Sequence, residues 1–206
     1  MKDSGQVRQL ANADFPSRWG HFRILGFEGV FGAFPETRKE AAVALVLGDI
    51  HAAPPLVRIH SQCLTGDVFG SLRCDCRGQL EMALGMISAA GAGVLVYEQQ
   101  EGRGIGLMAK LQAYQLQDNG MDTVEANEEL GFDADHRDFT LPAEMLKQLG
   151  LKAVRLLSNN PEKIAALEHA GINVVERVSC EVPASEHTEA YMKTKKEKMG
   201  HLLESL

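Results

Sequence analysis

An α/β (α+β) fold, a mixed β-sheet flanked by helices in a single compact domain, is what this sequence predicts, on three observations. Short β-rich apolar runs alternate with helical patterns along most of the chain, the pattern of a sheet covered by helices. Its 206 residues suffice for one core of ordinary size. No internal repeat, linker or low-complexity stretch divides it.

Taken in order, residues 1–55 are the more loosely organised part. Within them GHFRILGF and AAVALVLGDI read as strands, FGAFPETRKEA as the loop between them, and Pro54–Pro55 as a break. LVRIHSQ (56–62) alternates apolar positions as a strand does. GQLEMALGMISAAG (78–91) is helical, because Leu80, Ala83, Leu84 and Ile87 share one face and Gly91 offers a stop. GVLVYEQ (93–99) is a buried strand. Glycines 102, 104 and 106 turn the chain into a helix with Leu107, Leu111 and Tyr114 at helical spacing, ended by Gly120. The alternation is clearest from 140 to 179: LPAEMLKQLG helix, AVRLLS strand, NNPEKIAALEHAG helix, INVVERVS strand. In the second of these helices Asn159 or Asn160 caps, and Pro161 takes the first helical position. A charged helix, exposed and ending in KTKKEKMGHLL, occupies about 187–203.

Composition narrows the function. Hydrophobic residues are 45% and charged residues 24%, which is globular rather than disordered. The net charge of -7 speaks against nucleic-acid binding, which draws on a basic surface. It leaves room for a small anionic ligand held by a local cation cluster. The N-terminus lacks the apolar stretch of a signal peptide, and no run of about 18 apolar residues suggests a membrane span. Four cysteines, three of them clustered, suit a reducing cytoplasm.

That cluster is the strongest chemical signal. Cys63, Cys74 and Cys76 fall within HSQCLTGDVFGSLRCDC, with no fourth ligand nearby. Structural zinc closes its tetrahedron with four protein ligands, whereas catalytic zinc keeps three and leaves a position open. The competing readings are a redox pair, weakened by the lack of Cys-x-x-Cys, and thiols that are merely buried. QQEGRGIGL sets Glu101 and Arg103 in a glycine-rich turn before a helix, where backbone N–H groups bind anions; the bland alternative is a simple turn. Asp133, Asp135, His136, Arg137 and Asp138 crowd one segment that, taken alone, also fits a solvated charged loop. Ser158 and Lys163 lie at another strand-to-helix junction, suited to phosphate or to ordinary capping. Together these pieces predict a metal-dependent hydrolase of a phosphorylated substrate, with zinc supplying hydroxide at neutral pH and a magnesium-type cation at the phosphates.

These residues carry a resemblance. RIHSQCLTGD, SLRCDC, QLEMAL, QQEGRGIGL, AYQLQDNGMDTVEAN, LGFDADHRDF, LLSNNPEK, AGINVVERV and KTKKEKMGHLL, in unbroken order from about residue 56, resemble GTP cyclohydrolase II, with 1–55 matching loosely. The resemblance implies one domain over 1–206, its catalytic part in 56–206. It implies conversion of GTP to a diaminopyrimidinone ribosylamino-phosphate with release of formate and pyrophosphate, opening riboflavin synthesis in the cytoplasm.

By position, Cys63, Cys74 and Cys76 would hold one zinc ion per subunit, and magnesium would accompany the phosphates. Arg58, Ile59, His60, Ser61 and Gln62 would lie along the nucleotide, and Gln79 would contact the base. Glu101, Gly102, Arg103, Thr123, Ser158 and Lys163 would complete the pocket. Asp135 would be the proton acceptor, Arg137 the nucleophile of the pyrophosphate-releasing step, and Tyr114 a residue near the purine. A homodimer is implied, with the C-terminal helix or the N-terminal strands as interface; neither nucleic acid nor membrane is a partner. Departures from the family's usual pattern are Gln62 for glutamate, Gln99 for arginine, Arg77–Gly78 for an immediate glycine, and Ser158 for threonine. The rival readings are a same-fold enzyme with an altered product, such as one retaining the formyl group or acting in pyrimidine breakdown, and a non-catalytic zinc module.

Overall fold

The computed structural model of the protein describes residues 5–32, 37–133, 135–183, 186, 188–200 and 202–203. Seven strands form one mixed sheet: β1 (Gln6–Ser17), β2 (Gly20–Phe31), β3 (Arg38–Leu47), β4 (Leu56–Ser61), β5 (Gly93–Glu98), β6 (Ala153–Leu157) and β7 (Asn173–Val178). Their spatial order is β1-β2-β3-β5-β4-β6-β7. Pairing is antiparallel from β1 through β3 to β5, and parallel from β5 through β4 and β6 to β7. Six helices accompany it among the described residues: α1 (Cys76–Ala90), α2 (Leu107–Asp118), α3 (Thr123–Glu129), α4 (Thr140–Gln148), α5 (Pro161–His169) and α6 (Glu189–Met199).

Strand alternation divides the core between the two faces of the sheet. Val57, Ile59, Val94, Val96, Val154 and Leu156 join Met145, Leu146 and Leu167 of α4 and α5 on one face. Leu56, Leu95 and Leu157 meet Ala83, Leu84 and Ile87 of α1 on the other. The helix face read from the sequence is therefore the face α1 buries, and Gly91 ends the helix in the left-handed conformation.

Topology places the site. The chain leaves β4 toward β5 on one side and leaves β6 toward β7 on the other, so a crevice opens beyond the carboxyl ends of β4 and β6. Open α/β sheets bind ligands at such switch points.

Three segments differ from expectation. The loosely organised N-terminus is a long antiparallel hairpin, β1 and β2, followed by β3. Almost all of β1 is exposed, so its sequence carries no apolar alternation, and backbone pairing with β2 holds it. TVEANEE, for which the sequence suggested no helix, is α3, held by a capping box in which Asp122 accepts from Val124 and Glu125 while Glu125 accepts from the Asp122 N–H. Helix α6 is not fully exposed, for Met192 and Lys195 are buried. Of the loop read at 31–41, residues 33–36 lie outside the described residues, as do 187 and 201 of the C-terminal helix and Ala134 of the charged segment.

Candidate active site

The three cysteine side chains converge although they come from two segments. Cys63 follows β4 and opens a single π-helical turn, Leu64–Val68; Cys74 and Cys76 flank Asp75 at the start of α1. Their sulfurs lie within 4.8 Å of one another, and Cys63 Sγ is 3.7 Å from Cys74 Sγ. Two sulfurs sharing a tetrahedral zinc at about 2.3 Å each stand about 3.8 Å apart, so the spacing fits that ion. Gly66 makes the convergence possible. A Cβ there would lie 2.9 Å from Cys74 Sγ and 3.1 Å from Cys63 Sγ. Replacing Gly66 with alanine should therefore lower zinc affinity at least about tenfold, measured by competition with a chromophoric chelator, with the sheet intact.

Surrounding groups favour a thiolate at Cys63, while its two neighbours are held as thiols. Hydrogen bonds from the Cys74 and Cys76 thiols, with the Lys110 ammonium, draw the Cys63 thiol far below its usual range. Cys74, sharing that proton with Cys63, is pushed up to about 11. Lys110 Nζ donates to Cys63 Sγ at 3.1 Å, Thr65 Oγ1 at 2.9 Å and Glu101 Oε1 at 2.7 Å. Burial pulls this lysine down, but its bonds to Glu101 and Cys63 outweigh that and hold it charged. Glu101 Oε2 also accepts from the Leu64 N–H at 2.6 Å, tying the glycine loop to the π turn. Beneath the cluster, Asp67 accepts from the Cys63 N–H at 3.0 Å and from the Tyr97 hydroxyl at 2.9 Å, and lies 3.1 Å from His60 Nε2.

The cluster forms one wall of an open cleft whose space, adjoining solvent included, is about 1070 Å³. Arg58, Arg73, Arg103 and Arg137 with Lys110, Lys163 and Lys195 line it, against a single acidic residue, Glu101. A chain of net charge -7 thus concentrates cations at one place. Each cation is held. Arg58 donates to Leu157 O at 2.9 Å and Gln79 Oε1 at 2.6 Å. Lys163, wholly buried in α5, donates to Ile59 O at 2.8 Å; burial, then the charges of Arg137 and Arg58, push its ammonium well down. Arg137 donates through Nε to Asp135 Oδ1 at 2.8 Å, through its terminal nitrogen to the other Asp135 oxygen, and to Ser61 Oγ at 3.4 Å. Burial raises the Asp135 carboxyl, but the guanidinium more than offsets this and leaves it below the usual carboxylate range.

Two turns shape the phosphate-sized part of the cleft. Gly102 and Arg103 are both left-handed, at φ 62 and 60, a conformation costing a non-glycine residue about 1–2 kcal/mol. A Cβ on Gly104 would meet His136 O at 2.8 Å, so only glycine lets this loop lie against the 135–138 segment. Gln100 clamps that segment further, donating to Asp138 O at 2.5 Å and accepting from its N–H at 2.8 Å. At the other turn Ser158 Oγ accepts from Asn160 N at 3.1 Å, and Asn160 caps α5 through Glu162 N at 2.8 Å. Three buried polar atoms here, Arg58 Nε, His60 Nδ1 and Asn159 Nδ2, lack partners among the described residues. That is spare capacity for a polar ligand.

Of the residues read from the sequence, Cys63, Cys74, Cys76, Arg58, His60, Ser61, Gln62, Gln79, Glu101, Gly102, Arg103, Tyr114, Thr123, Arg137, Ser158 and Lys163 line this cleft. Two do not. Ile59 alternates onto the opposite face of β4 and is fully buried in the core with α4 and α5, so only its backbone approaches the site. Asp135 stands behind Arg137. Tyr114 hydrogen-bonds Thr65 Oγ1 at 3.2 Å and stacks under Arg73 at 4.7 Å. Asp133 and His136 are exposed. The sequence reading missed Gly66, Gln100, Lys110 and Lys195. Lys110 had a signal, since it precedes Tyr114 by four residues on the same helical face; Gly66 lies inside the cysteine loop itself, and Gln100 and Lys195 act through long-range contacts.

A family model described as GTP cyclohydrolase II matches residues 8–179. GTP cyclohydrolase-2 of Enterobacter sp. (strain 638) is 54% identical over 96% of this chain and 98% of its own. GTP cyclohydrolase-2 of Actinobacillus succinogenes is 53% identical over 96% and 89%. A solved structure described as RibBX, a two-domain 3,4-dihydroxy-2-butanone 4-phosphate synthase from A. baumannii, is 19% identical, with a TM-score of 0.48 over 88% of this chain and 42% of that one.

Proposed function

Because this chain belongs to the GTP cyclohydrolase II family, we propose that it hydrolyses GTP to 2,5-diamino-6-(5-phosphoribosylamino)pyrimidin-4(3H)-one, formate and pyrophosphate, opening riboflavin biosynthesis. The observation that carries this reading is one cleft joining a three-sulfur cluster to a wall of cations. The first suits carbon–nitrogen bond hydrolysis, the second a triphosphate.

Cys63, Cys74 and Cys76 would hold one zinc ion per subunit, which would supply Lewis-acid chemistry at this wall of the cleft. Gln79 reads the base, flanked by Arg58, His60, Ser61 and Gln62, while Ile59 contributes backbone alone. Tyr114, hydrogen-bonded beside Cys63, faces the purine ring where it opens. Glu101, Gly102 and Arg103 with Thr123 form one side of the nucleotide pocket; Ser158, Lys163 and Arg137 receive the phosphates with magnesium. The N-terminus of α5 and the spare donors of Arg58 and Asn159 support that placement.

A guanidinium is protonated at any working pH, so Arg137 acts by stabilising charge on the α–β phosphoanhydride as it breaks. Asp135, with its acidity strengthened by Arg137, is a weak base at neutral pH and serves to orient that guanidinium. Their ion pair adds stability above about pH 4, where the unfolded carboxylate ionises, and loses it as pH falls through the lower folded value. Across roughly pH 6 to 9 Asp135 stays ionised. Asp135→Asn should therefore lower turnover by a constant factor of about 10–100 over that range. A limb of the pH–rate profile that vanishes in the variant would instead make Asp135 a base.

Exposed Leu10 and Phe15 on β1 support the N-terminal strands as the homodimer interface. The converging reduced thiols accord with the cytoplasm. No helix among the described residues is long and apolar enough to cross a membrane. The deciding experiment incubates the protein with GTP and measures formate, pyrophosphate and the pyrimidine by mass spectrometry. Equal amounts of all three support the reading; a product retaining the formyl group, or no turnover by zinc-loaded protein, overturns it.

A further inference from the structure

The family match ends at residue 179, yet α6, beyond it, sends a side chain into the cleft. Lys195 is buried, and its Nζ donates to Asp75 Oδ1 at 2.7 Å. Asp75, between the two ligand cysteines, accepts at its other oxygen from Gln79 Nε2 at 2.6 Å. Gln79 Oε1 in turn accepts from Arg58, whose other nitrogen is anchored on Leu157 O. The relay permits one orientation of the Gln79 amide, because a carboxylate only accepts and a guanidinium only donates. Flipping the amide would forfeit both bonds and set like groups together. Without the ammonium, Asp75 is a buried carboxylate beside three sulfurs, a charge costly to leave unpaired.

The helix is docked to serve this contact. Met192 is buried on the same face, Lys198 bridges to Asp122 and Glu125 at the start of α3, and the Leu202 N–H donates to Asn159 O at 2.9 Å. We propose that Lys195 is a positioning residue which, through Asp75, fixes the amide of Gln79 and so sets the preference for guanine. The inference rests on the reading of Gln79 as the base contact.

The test compares steady-state kinetics of Lys195→Met, Lys195→Arg, Lys198→Met and Gln79→Ala with GTP and with inosine triphosphate, which lacks the 2-amino group, alongside zinc content and urea unfolding. In Lys195→Met, KM for GTP should rise about tenfold and the preference for GTP should narrow, with kcat and zinc content nearly unchanged. Lys195→Arg, which keeps a donor and a charge, should restore most of the preference. Lys198→Met loosens the same helix without touching Asp75 and should leave the preference intact. The proposal falls if Lys195→Met keeps the wild-type preference, if Lys198→Met reproduces its loss, or if Lys195→Arg gives no rescue. Should Gln79→Ala lose the preference while Lys195→Met keeps it, the inference fails and the base contact stands. Should Gln79→Ala keep it, the base contact fails and the inference with it.

Discussion

Cys74→Ser should strip zinc from the protein and end formate release while the sheet stays folded. A catalytic zinc ion contributes several kcal/mol of transition-state stabilisation, so on the proposed reading the expected loss is about three orders of magnitude or more. Folding should survive because the two cores meet on β4, β5 and β6 through α1, α4 and α5, and neither uses Cys74. The sulfur cluster stands outside them, on the connection between β4 and α1. Metal analysis, formate release and urea unfolding on one preparation decide the matter. Metal loss with an unfolding curve near wild type supports an open catalytic centre. Collapse of the fold together with metal loss would make the cluster a structural staple, the behaviour of small zinc modules that unfold without their ion.

The second large effect is expected at Arg137. Lysine keeps the charge but cannot reproduce the planar fork that holds both Asp135 oxygens and reaches Ser61. Arg137→Lys should therefore slow pyrophosphate release about 100- to 1000-fold, the usual cost of losing one well-placed donor at a developing charge. Zinc content should not change, since Arg137 bonds Asp135 and Ser61 and supplies none of the three sulfurs. A change confined to KM would show Arg137 binding the phosphates without acting on the bond that breaks.

How far the site could be read in advance follows physical lines. The cysteine trio was legible because its ligands are close in sequence and zinc chemistry constrains their number. The parallel half of the sheet was legible because buried strands carry apolar runs or apolar alternation: Val94–Val96 is apolar at every position, and Val57 and Ile59 flank Arg58 in β4. Strand β1 left no trace, since an exposed edge strand needs no apolar face. Helix α3 was hidden by its polar composition, although Asp122 and Glu125 stand at capping-box spacing. The cation wall was partly visible through Arg103, Arg137 and Lys163 in their motifs. Its closure was not, because Gln100 to Asp138 and Lys195 to Asp75 are contacts set by the finished fold. Ile59 shows the converse: it sits among site residues in the chain, but the pleat turns its side chain into the core and leaves only its backbone toward the cleft.

The two halves of the cleft differ in how much chain each needs. The sulfur trio depends on fourteen consecutive residues closing a short loop, whereas Ser158 and Lys163 reach the cleft only after β6 has paired alongside β4 across nearly a hundred intervening positions. During synthesis on the ribosome, thiol capture of metal can thus precede any competence for nucleotide. A ribosome-stalled product ending before β6 would carry its metal while remaining blind to triphosphate.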